Sequence, residues 1–457
     1  MSRTRTGVAC YAVGKSLLAP PGTRKFIMLI GTTTRRVAIL GGVRIPFARG
    51  YTAYLDADNQ ELLTAALAAL IERFKLRGER LGDVVAGAVT KHPKDFNLTR
   101  ESVLSSSLDP HTPGLDVQRA CGTSLEAAIL VGNKIALGQI EVGIAGGVDT
   151  VSDPPIMYPR SFQRVLLRSA RAKSLTQRIG PWIGLRPSDL KPQLPAVVEP
   201  QTGLSMGESC ELMAKEWHVS REEQDRIALD SHVHAAAAWR EGFYSDLVVP
   251  HRGLSNDNNV RADASLESLA KLKPVFDRSE AGTLTAGNST PLTDGAATLL
   301  LASEEWARAR KLPVLAYLRA GKSWAVDFAK GHEGLLMAPA YAVAAVLRDT
   351  GLTLQDFDYY EIHEAFAAVP LCLFKAWESA DYCRERLGWP GALGSIDRAR
   401  LNVKGGSVAI GHPFAATGAR ILAVLAKLLS NDPQAKRALA SACTAGGMGV
   451  TAILERP

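Results

Sequence analysis

Cys121 is the residue whose local sequence best suits a nucleophile. It lies on a turn of small residues, Gln118–Ser124, and the predicted helix Leu125–Leu137 follows and ends at Gly138. The unpaired N–H groups and positive dipole end of a helix N-terminus favour a thiolate, the reactive form of cysteine. A buried structural thiol is the alternative, because free cysteine also packs as a small hydrophobic group.

Three further segments each carry one titratable residue at a predicted strand end or in a glycine-rich loop. The residues and their segments are His363 in Glu361–Phe366, His412 in Asn402–Gly418 and Cys443 in Ser441–Gly449. In such loops the backbone can approach a ligand closely. Taken singly, His363 is better explained as a partly buried histidine with satisfied hydrogen bonds, the loop of His412 as a simple turn and Cys443 as a core thiol. Taken together, their places at corresponding edges of a repeated architecture favour a shared site.

The elements that must position these residues occur twice along the chain. Residues 60–90 and 337–366 both predict a helix, a turn and a strand, and each is followed by a small-residue turn, a helix and another strand. The predicted elements are helix Leu62–Phe74, strand Val84–Thr90, helix Leu125–Leu137 and strand Val142–Gly147, then helix Ala340–Arg348, strand Phe357–His363, helix Ala415–Leu429 and strand Ala438–Cys443. Alternating strands and helices predict α/β layers with mostly parallel sheets, and duplication predicts two halves that face each other.

The region between the copies has a different character. Residues 154–278 contain proline-rich and basic stretches and a predicted helical segment, Glu208–Trp239, in which Ser220 and Glu223 have capping-box spacing. We interpret this region as an inserted loop or lid domain. The predicted strand Ala296–Ala302 then completes the first half.

The net charge of +7 is concentrated in two segments. Residues 1–36 contain seven basic and no acidic residues, residues 160–191 contain eight basic residues and Asp189, and the rest of the chain has a net charge of −7. This distribution argues against a uniformly basic nucleic-acid-binding protein, so no nucleic-acid partner is expected. Residues 1–35 are predicted to be a basic disordered arm or the result of a misplaced start, with a targeting segment as the alternative.

Cysteine spacing, hydropathy and one serine motif bear on the location of the protein and on the kinds of site it could carry. The six cysteines form no CxxC pair, which is typical of reduced thiols, and we expect a cytoplasmic location and no metal site. No apolar run approaches the roughly 18 residues that a membrane-spanning helix needs. Gly203–Gly207 matches the GxSxG nucleophile elbow, but Pro200 interrupts the strand that should precede it, which disfavours a serine hydrolase.

From Arg36 to the C-terminus, the chain resembles the thiolase family. The motifs that carry this resemblance are Cys-Gly-Thr-Ser at Cys121, His-Glu-Ala-Phe at His363, Gly-His-Pro at His412 and Cys-x-x-Gly-Gly-Met-Gly at Cys443. His363 replaces a common asparagine and Ala415 a common glycine, which resembles the branch found in the trifunctional fatty-acid oxidation complex.

The resemblance implies an α/β, thiolase-like duplicated αβαβα layered fold with an inserted loop domain. It implies an N-terminal half formed by residues 36–153 with 279–307, a loop domain at 154–278 and a C-terminal half at 308–457.

The implied reaction is thiolytic cleavage of a 3-ketoacyl-CoA, or the reverse Claisen condensation, through an acyl-cysteine at Cys121. His412 would be the base, Cys443 would exchange protons with the departing and incoming groups, and His363 would hold a water molecule. The backbone N–H groups of Cys121 and Ala445 would bind an oxyanion. By the same resemblance Ser289 and Thr290 would lie near the pantetheine of coenzyme A, a co-substrate, and no permanently bound cofactor is expected.

Two other functions and several partners stay open from the sequence. A ketoacyl synthase would share the fold and nucleophile but lack a second catalytic cysteine, and a catalytically silent thiolase-like subunit would need none of these roles. Acyl-CoA and CoA are the expected ligands. The resemblance implies a homodimer or tetramer and allows a hydratase/dehydrogenase subunit as partner. Residues 160–191, which mix basic and apolar side chains, are a candidate peripheral membrane contact or a surface for that subunit.

Overall fold

The computed structural model describes residues 34–195, 198–331 and 333–457. The prediction for residues 1–35 therefore falls almost entirely outside the described residues. The strands in these ranges are β1 Val37–Arg44, β2 Ala48–Arg49, β3 Asp83–Ala86, β4 Gly114–Asp116, β5 Val142–Asp149, β6 Thr293–Ser303, β7 Ala316–Ala325, β8 Tyr359–Ile362, β9 Arg437–Thr444 and β10 Met448–Glu455.

Helices cover both faces of the sheet that these strands form. They are α1 Asn59–Phe74, α2 Leu98–Leu104, α3 Thr123–Ala136, α4 Arg160–Ala170, α5 Leu175–Ile179, α6 Met206–Glu216, α7 Arg221–Arg240, α8 Leu266–Ala270, α9 Glu304–Ala309, α10 Ala338–Thr350, α11 Ala368–Glu378, α12 Ala380–Glu385, α13 Ser407–Ile410 and α14 Thr417–Asn431. Short 3-10 turns lie at Gly180–Trp182, Pro187–Leu190, Arg398–Arg400 and Phe414–Ala416.

The strand order is the clearest sign of duplication. The sheet runs β4-β3-β5-β6-β1-β7-β10-β9-β8, and short pairing between β1 and β7 joins its two halves. Read outward from that junction, β1-β6-β5-β3 corresponds to β7-β10-β9-β8. Leu401, which bridges to Tyr360 of β8, occupies the position that β4 has in the first half. The predicted duplicated α/β fold is confirmed.

The prediction of mostly parallel sheets is wrong. Within the described ranges only β3 with β4, β3 with β5, and β8 with β9 pair in parallel, and the other strand pairs are antiparallel. For β9 and β10 the connection is the physical reason, because a tight turn can join only antiparallel neighbours. One such turn joins β9 to β10, and its Gly446 and Gly447 have φ of 78° and 68°.

Helices α3 and α14 pack against each other beneath the sheet junction. Gly418 allows this approach, since a Cβ there would lie 2.3 Å from the backbone nitrogen of Leu125. Residues Phe414–Asn431 are long and apolar enough to cross a membrane by length and composition, but 78% of this stretch is buried inside the protein. The expectation that no apolar stretch approaches the length of a membrane-spanning helix is therefore wrong. The stretch is long and apolar because α14 lies in the core of the protein.

Two helices replace the single helical segment predicted over Glu208–Trp239. Helix α6 ends at Glu216 and α7 begins at Arg221, and between them His218 has a φ of 49°. The predicted capping box is present, because Ser220 and Glu223 each bond the other's backbone N–H. The sequence pattern predicted one helical segment here, and the capping box within it marks where the second helix, α7, begins.

Candidate functional site

The turn before α3 presents Cys121 between the two halves of the protein. Ala120 has a φ of 43°, an uncommon conformation for a non-glycine residue, and Gly122 caps the helix. The Thr123 hydroxyl ties the turn by accepting from the N–H of Arg119 at 2.8 Å and donating to the carbonyl of Ala120 at 2.7 Å. Cys121 is thereby held at the N-terminal end of α3, as predicted, although α3 begins at Thr123 and not at Leu125.

Two histidines from the second half converge on Cys121. The cysteine Sγ and one ring nitrogen each of His363 and His412 all lie within 4.8 Å of one another, and the ring centroids are 4.1 Å apart. The same three side chains could also bind a metal ion. The expectation of no metal site therefore stays a prediction. Residues more than 240 positions apart in sequence therefore form one cluster.

His412 is held as a neutral ring with one free nitrogen. Its backbone N–H donates to Thr293 Oγ1 at 2.7 Å, and its Nδ1 lies 2.6 Å from Thr417 Oγ1. Its Nε2 is buried and has no hydrogen-bond partner among the described residues. Burial, reinforced by the positive charge of Arg420, lowers the pKa of His412 to about 3. A neutral imidazole with an unpaired Nε2 is a proton acceptor when Nδ1 carries the hydrogen.

His363 follows β8 and faces His412. Its backbone N–H donates to the carbonyl of Ser441 at 2.8 Å, and its Nδ1 lies 2.8 Å from Ser407 Oγ. In the described part of the chain its buried Nε2 also lacks a partner. Burial is the main reason that the pKa of His363 lies well below its usual value, and His412 and Arg420 act in the same direction.

The Cys121 thiol is harder to ionise than the helix dipole alone predicts. Burial raises the pKa of Cys121 to about 12, and the nearby carboxylate of Asp149 acts in the same direction. The backbone N–H groups of Ala445 and of Cys121 itself oppose this rise but do not cancel it. The helix terminus favours a thiolate, but desolvation of the buried thiol outweighs it. Cys121 needs a base.

Cys443 lies near the end of β9, close enough to Cys121 for a charge there to affect it. Burial raises the pKa of the Cys443 thiol, and a negative charge on Cys121 would raise it further. Its strand continues into the β9–β10 turn, where Ala445 presents its N–H to Cys121. Gly446 in the same turn donates its N–H to the buried carboxylate of Glu199 at 2.7 Å. Glu199 thus supports the turn that carries Ala445.

Ser289 and Thr290 lie against the loop that follows His363. Thr290 uses both its N–H and its hydroxyl to bond the carbonyl of Ala365, at 3.1 and 3.0 Å. Ser289 pairs with Phe366, and its buried Oγ has no partner among the residues that the structure describes. Ser289 therefore retains a free hydroxyl, whereas Thr290 is occupied in holding the loop.

The GxSxG sequence at Gly203–Gly207 has a structural role. Ser205, the serine of Gly203–Gly207, caps helix α6 and forms a capping box with Glu208. Its hydroxyl bonds the Glu208 carboxylate at 2.7 Å, in an exposed position. The geometry therefore gives this serine a structural role rather than that of a nucleophile.

Comparison with known proteins agrees with the two-half architecture. Family models described as "Thiolase, N-terminal domain" and "Thiolase, C-terminal domain" match residues 37–305 and 312–456. The chain belongs to the thiolase family. The 3-ketoacyl-CoA thiolases of Yersinia pestis (strain Pestoides F) and Yersinia pseudotuberculosis (serotype O:3, strain YPIII) are similar to it. Each is 41% identical over 426 residues, which is 92% of this chain and 97% of the relative.

Solved thiolase structures share the fold over nearly the whole chain. The acetyl-CoA acetyltransferase of Bacillus anthracis has a TM-score of 0.76 and 29% identity, and the alignment covers 93% of this chain and 100% of that one. Human mitochondrial 3-ketoacyl-CoA thiolase in complex with CoA has a TM-score of 0.76 and 26% identity, over 93% of this chain and 98% of that one.

Around the site of this thiolase-family member lie charged residues to which the motifs assigned no role. Asp149 lies beneath the Gly-His-Pro turn and accepts from the N–H groups of Thr90 and Ala415, both at 2.8 Å. Burial raises the pKa of Asp149 to about 6. Arg420 and Glu361 form an ion pair at 2.9 Å that is almost fully buried. A charged residue inside an apolar helix, as Arg420 is in α14, is the one sequence signal that could have found this pair.

Proposed function

We propose that this protein catalyses thiolytic cleavage of 3-ketoacyl-CoA by CoA, and the reverse condensation, as an acyltransferase of fatty acid β-oxidation. The observation that carries the proposal is the convergence on Cys121 of two neutral histidines next to a second thiol on β9, and neither histidine has a partner for its Nε2 among the described residues. The 41% identity to 3-ketoacyl-CoA thiolases supports the substrate class.

The first half-reaction transfers the acyl group to Cys121. His412 Nε2 takes the thiol proton, and the sulfur attacks the 3-keto carbon. The bond between carbons 2 and 3 then breaks, its electron pair leaves as the acetyl-CoA enolate, and the Cys443 thiol protonates that carbon. Acetyl-CoA departs, the acyl group stays on Cys121, and Cys443 is left as a thiolate.

Two sets of donors stabilise the charge that develops. His412, once protonated, and a water held by His363 face the thioester oxygen that becomes the enolate. The N–H groups of Cys121 and Ala445 face the oxyanion formed on the keto carbon. The effect of both N–H groups on the Cys121 sulfur supports this second role.

The second half-reaction returns the acyl group to coenzyme A. The Cys443 thiolate deprotonates the incoming CoA thiol, whose sulfur attacks the Cys121 thioester. The carbon–sulfur bond to Cys121 breaks, and His412 returns the proton to the leaving sulfur. Ser289, with its free hydroxyl, and Thr290 are proposed to lie beside the pantetheine, and no permanently bound cofactor is required.

The test is turnover of acetoacetyl-CoA with CoA, followed by loss of the ketoacyl chromophore. Cys121→Ser and Cys443→Ser are compared with Cys383→Ser, a buried cysteine outside the cluster. We expect loss of activity in the first two variants only. No turnover by the unmodified protein would favour a silent binding subunit, and full activity of Cys443→Ser would favour synthase-type chemistry.

We propose that two copies associate through the edge of the sheet at β4. This strand has one unpaired edge in the described part of the chain, and apolar Phe96, Leu104 and Leu115 are exposed around it. Exposed edge strands with apolar neighbours are sites for pairing with another chain. Sedimentation velocity should give a dimer, and Leu115→Lys should shift it towards monomer; a monomeric unmodified protein contradicts the proposal.

We propose that residues 160–191 contact an anionic membrane surface. Leu167, Leu175 and Ile183 are 59%, 70% and 79% exposed, and Arg164, Arg168 and Arg178 of the same segment are also exposed. A surface that is both apolar and basic binds anionic lipid through burial and charge together.

The membrane test uses vesicles with and without phosphatidylserine. Changing the three exposed apolar residues to serine should abolish flotation with the anionic vesicles, and added salt should weaken it. Leu212→Ser, at a 57% exposed position on α6, is the matched control. Absence of vesicle binding would leave a hydratase/dehydrogenase subunit as the proposed partner of this surface. We also propose a cytoplasmic location, which the five cysteines in the described ranges support, because all five are free thiols.

A further inference from the structure

Arg420 and Glu361 form a buried ion pair that packing alone does not explain. Both side chains are only 1% exposed, and Arg420 Nη1 donates to Glu361 Oε2 at 2.9 Å. Removing two charges from water is expensive, and apolar residues of similar size often stabilise a core equally well. A pair of this kind next to the reactive cluster therefore calls for a reason beyond stability.

Ser407 connects the ion pair to His363. The second guanidinium nitrogen of Arg420 donates to Ser407 Oγ at 3.0 Å, and the same oxygen lies 2.8 Å from His363 Nδ1. A guanidinium can only donate, so Ser407 must accept from Arg420. Among the described residues the remaining neighbour of the Ser407 oxygen is His363 Nδ1. The hydroxyl proton of Ser407 therefore has one acceptor, the Nδ1 lone pair.

We infer that Arg420, held by Glu361, acts through Ser407 as a positioning residue that locks His363 in the Nε2–H tautomer. In this tautomer Nδ1 accepts from the serine and the free Nε2 carries the hydrogen, so His363 presents only a donor towards Cys121. The inference rests on the proposed function, because it specifies how His363 polarises the substrate oxygen or the water bound to it.

The neighbouring histidine lacks this lock. His412 Nδ1 contacts Thr417 Oγ1, and no cationic group fixes the direction of that hydrogen bond in the described ranges. The Thr417 hydroxyl can accept from Nδ1–H, which leaves the Nε2 lone pair of His412 ready to take the Cys121 proton. Two adjacent imidazoles thus receive different tasks, one as a fixed donor and one as a proton acceptor.

The direct test is nitrogen NMR of the full-length protein labelled with [15N]histidine, with His363→Asn used to assign the resonances. We expect His363 Nδ1 to resonate as an unprotonated nitrogen and Nε2 as a protonated one. Ser407→Ala should produce a mixture of tautomers, whereas Ser407→Thr, which keeps the hydroxyl, should restore the single form. An Nδ1–H tautomer in the unmodified protein, or an unchanged tautomer in Ser407→Ala, overturns the inference.

Kinetics supply a second readout with a matched control. Loss of one preorganised donor costs up to about 10²–10³-fold in kcat, so for Ser407→Ala we expect at least about a tenfold fall with KM within about twofold. Thr298→Val, which removes another buried hydroxyl bonded to two carbonyls, should keep kcat near that of the unmodified protein. Equal kcat in both variants contradicts the inference. Because the tautomer is measured without turnover, failure of the proposed reaction remains distinguishable from failure of the lock.

Discussion

Replacing His412 by asparagine should remove the base that activates Cys121. Burial raises the pKa of Cys121 to about 12, so about one thiol in 10⁵ would ionise unaided at pH 7. An ordinary cysteine, with a pKa of about 8.5, is about 3% ionised at that pH, so the buried thiol is at a disadvantage of about 10³-fold. A positioned base contributes about 10²–10⁴-fold, and the upper part of this range offsets the disadvantage.

The assay is the rate at which iodoacetamide alkylates Cys121, read by mass spectrometry of the peptide that contains it. Asparagine keeps a polar group near Thr417 but cannot accept the proton as imidazole does. We expect the rate at pH 7 to fall by about 10²–10⁴-fold in His412→Asn. As long as the pH is below the pKa, each unit of increase in pH raises the thiolate fraction about tenfold. The remaining alkylation rate should therefore rise by about tenfold per pH unit between pH 7 and 10.

A matched variant separates loss of the base from loss of any imidazole. His234→Asn removes a partly buried histidine of α7 whose Nδ1 lies 3.2 Å from a backbone carbonyl oxygen. Its alkylation rate should equal that of the unmodified protein. Alkylation of His412→Asn at the unmodified rate at pH 7 would refute the assignment of His412 as the base, since the thiol would then ionise by other means.

Three further predictions concern the second thiol and the packing around the site. Cys443→Ser should lower kcat by about 10²–10⁴-fold and leave Cys121 alkylation near its normal rate; a loss of alkylation as well would point to a misfolded site. Asp257→Ala should lower the free energy of unfolding in urea by about 3–5 kcal/mol, because it leaves the buried Arg44 unpaired, and the exposed Asp263→Ala should not. Gly147→Ala should cost about 1–3 kcal/mol and reduce kcat, since its Cβ would lie 2.0 Å from the carbonyl oxygen of Ala415. Gly180→Ala, with open space around it, is the control, and equal effects would contradict the packing argument.

The parts of the site that depend on local pattern were predictable from the sequence. A thiol before a helix, and histidines after a strand and within a glycine-rich loop, identified Cys121, His363 and His412 before any distance was known. The duplicated order of elements predicted that their loops meet. The capping-box spacing of Ser220 and Glu223 likewise located the start of α7.

The features of the site and the sheet that the sequence did not predict depend on burial and on contacts and connections between elements. The Cys121 pKa is set by how much water the fold excludes, a quantity that the helix-terminus argument does not contain. The partnership of Arg420 with Ser407 and Glu361 joins two helices, α14 and α13, to strand β8, and no sequence spacing relates them. The antiparallel pairing of β9 and β10 follows from a two-glycine turn that the sequence pattern presented only as a catalytic loop.

The central claim is that Cys121 carries the acyl group, and trapping that intermediate tests it most directly. The protein is mixed with a 3-ketoacyl-CoA in the absence of CoA, quenched in acid and analysed by peptide mass spectrometry. We predict a mass increase equal to the substrate's acyl chain shortened by two carbons, located on Cys121 and absent in Cys121→Ser. An adduct on another residue, or none while turnover proceeds, would contradict the account.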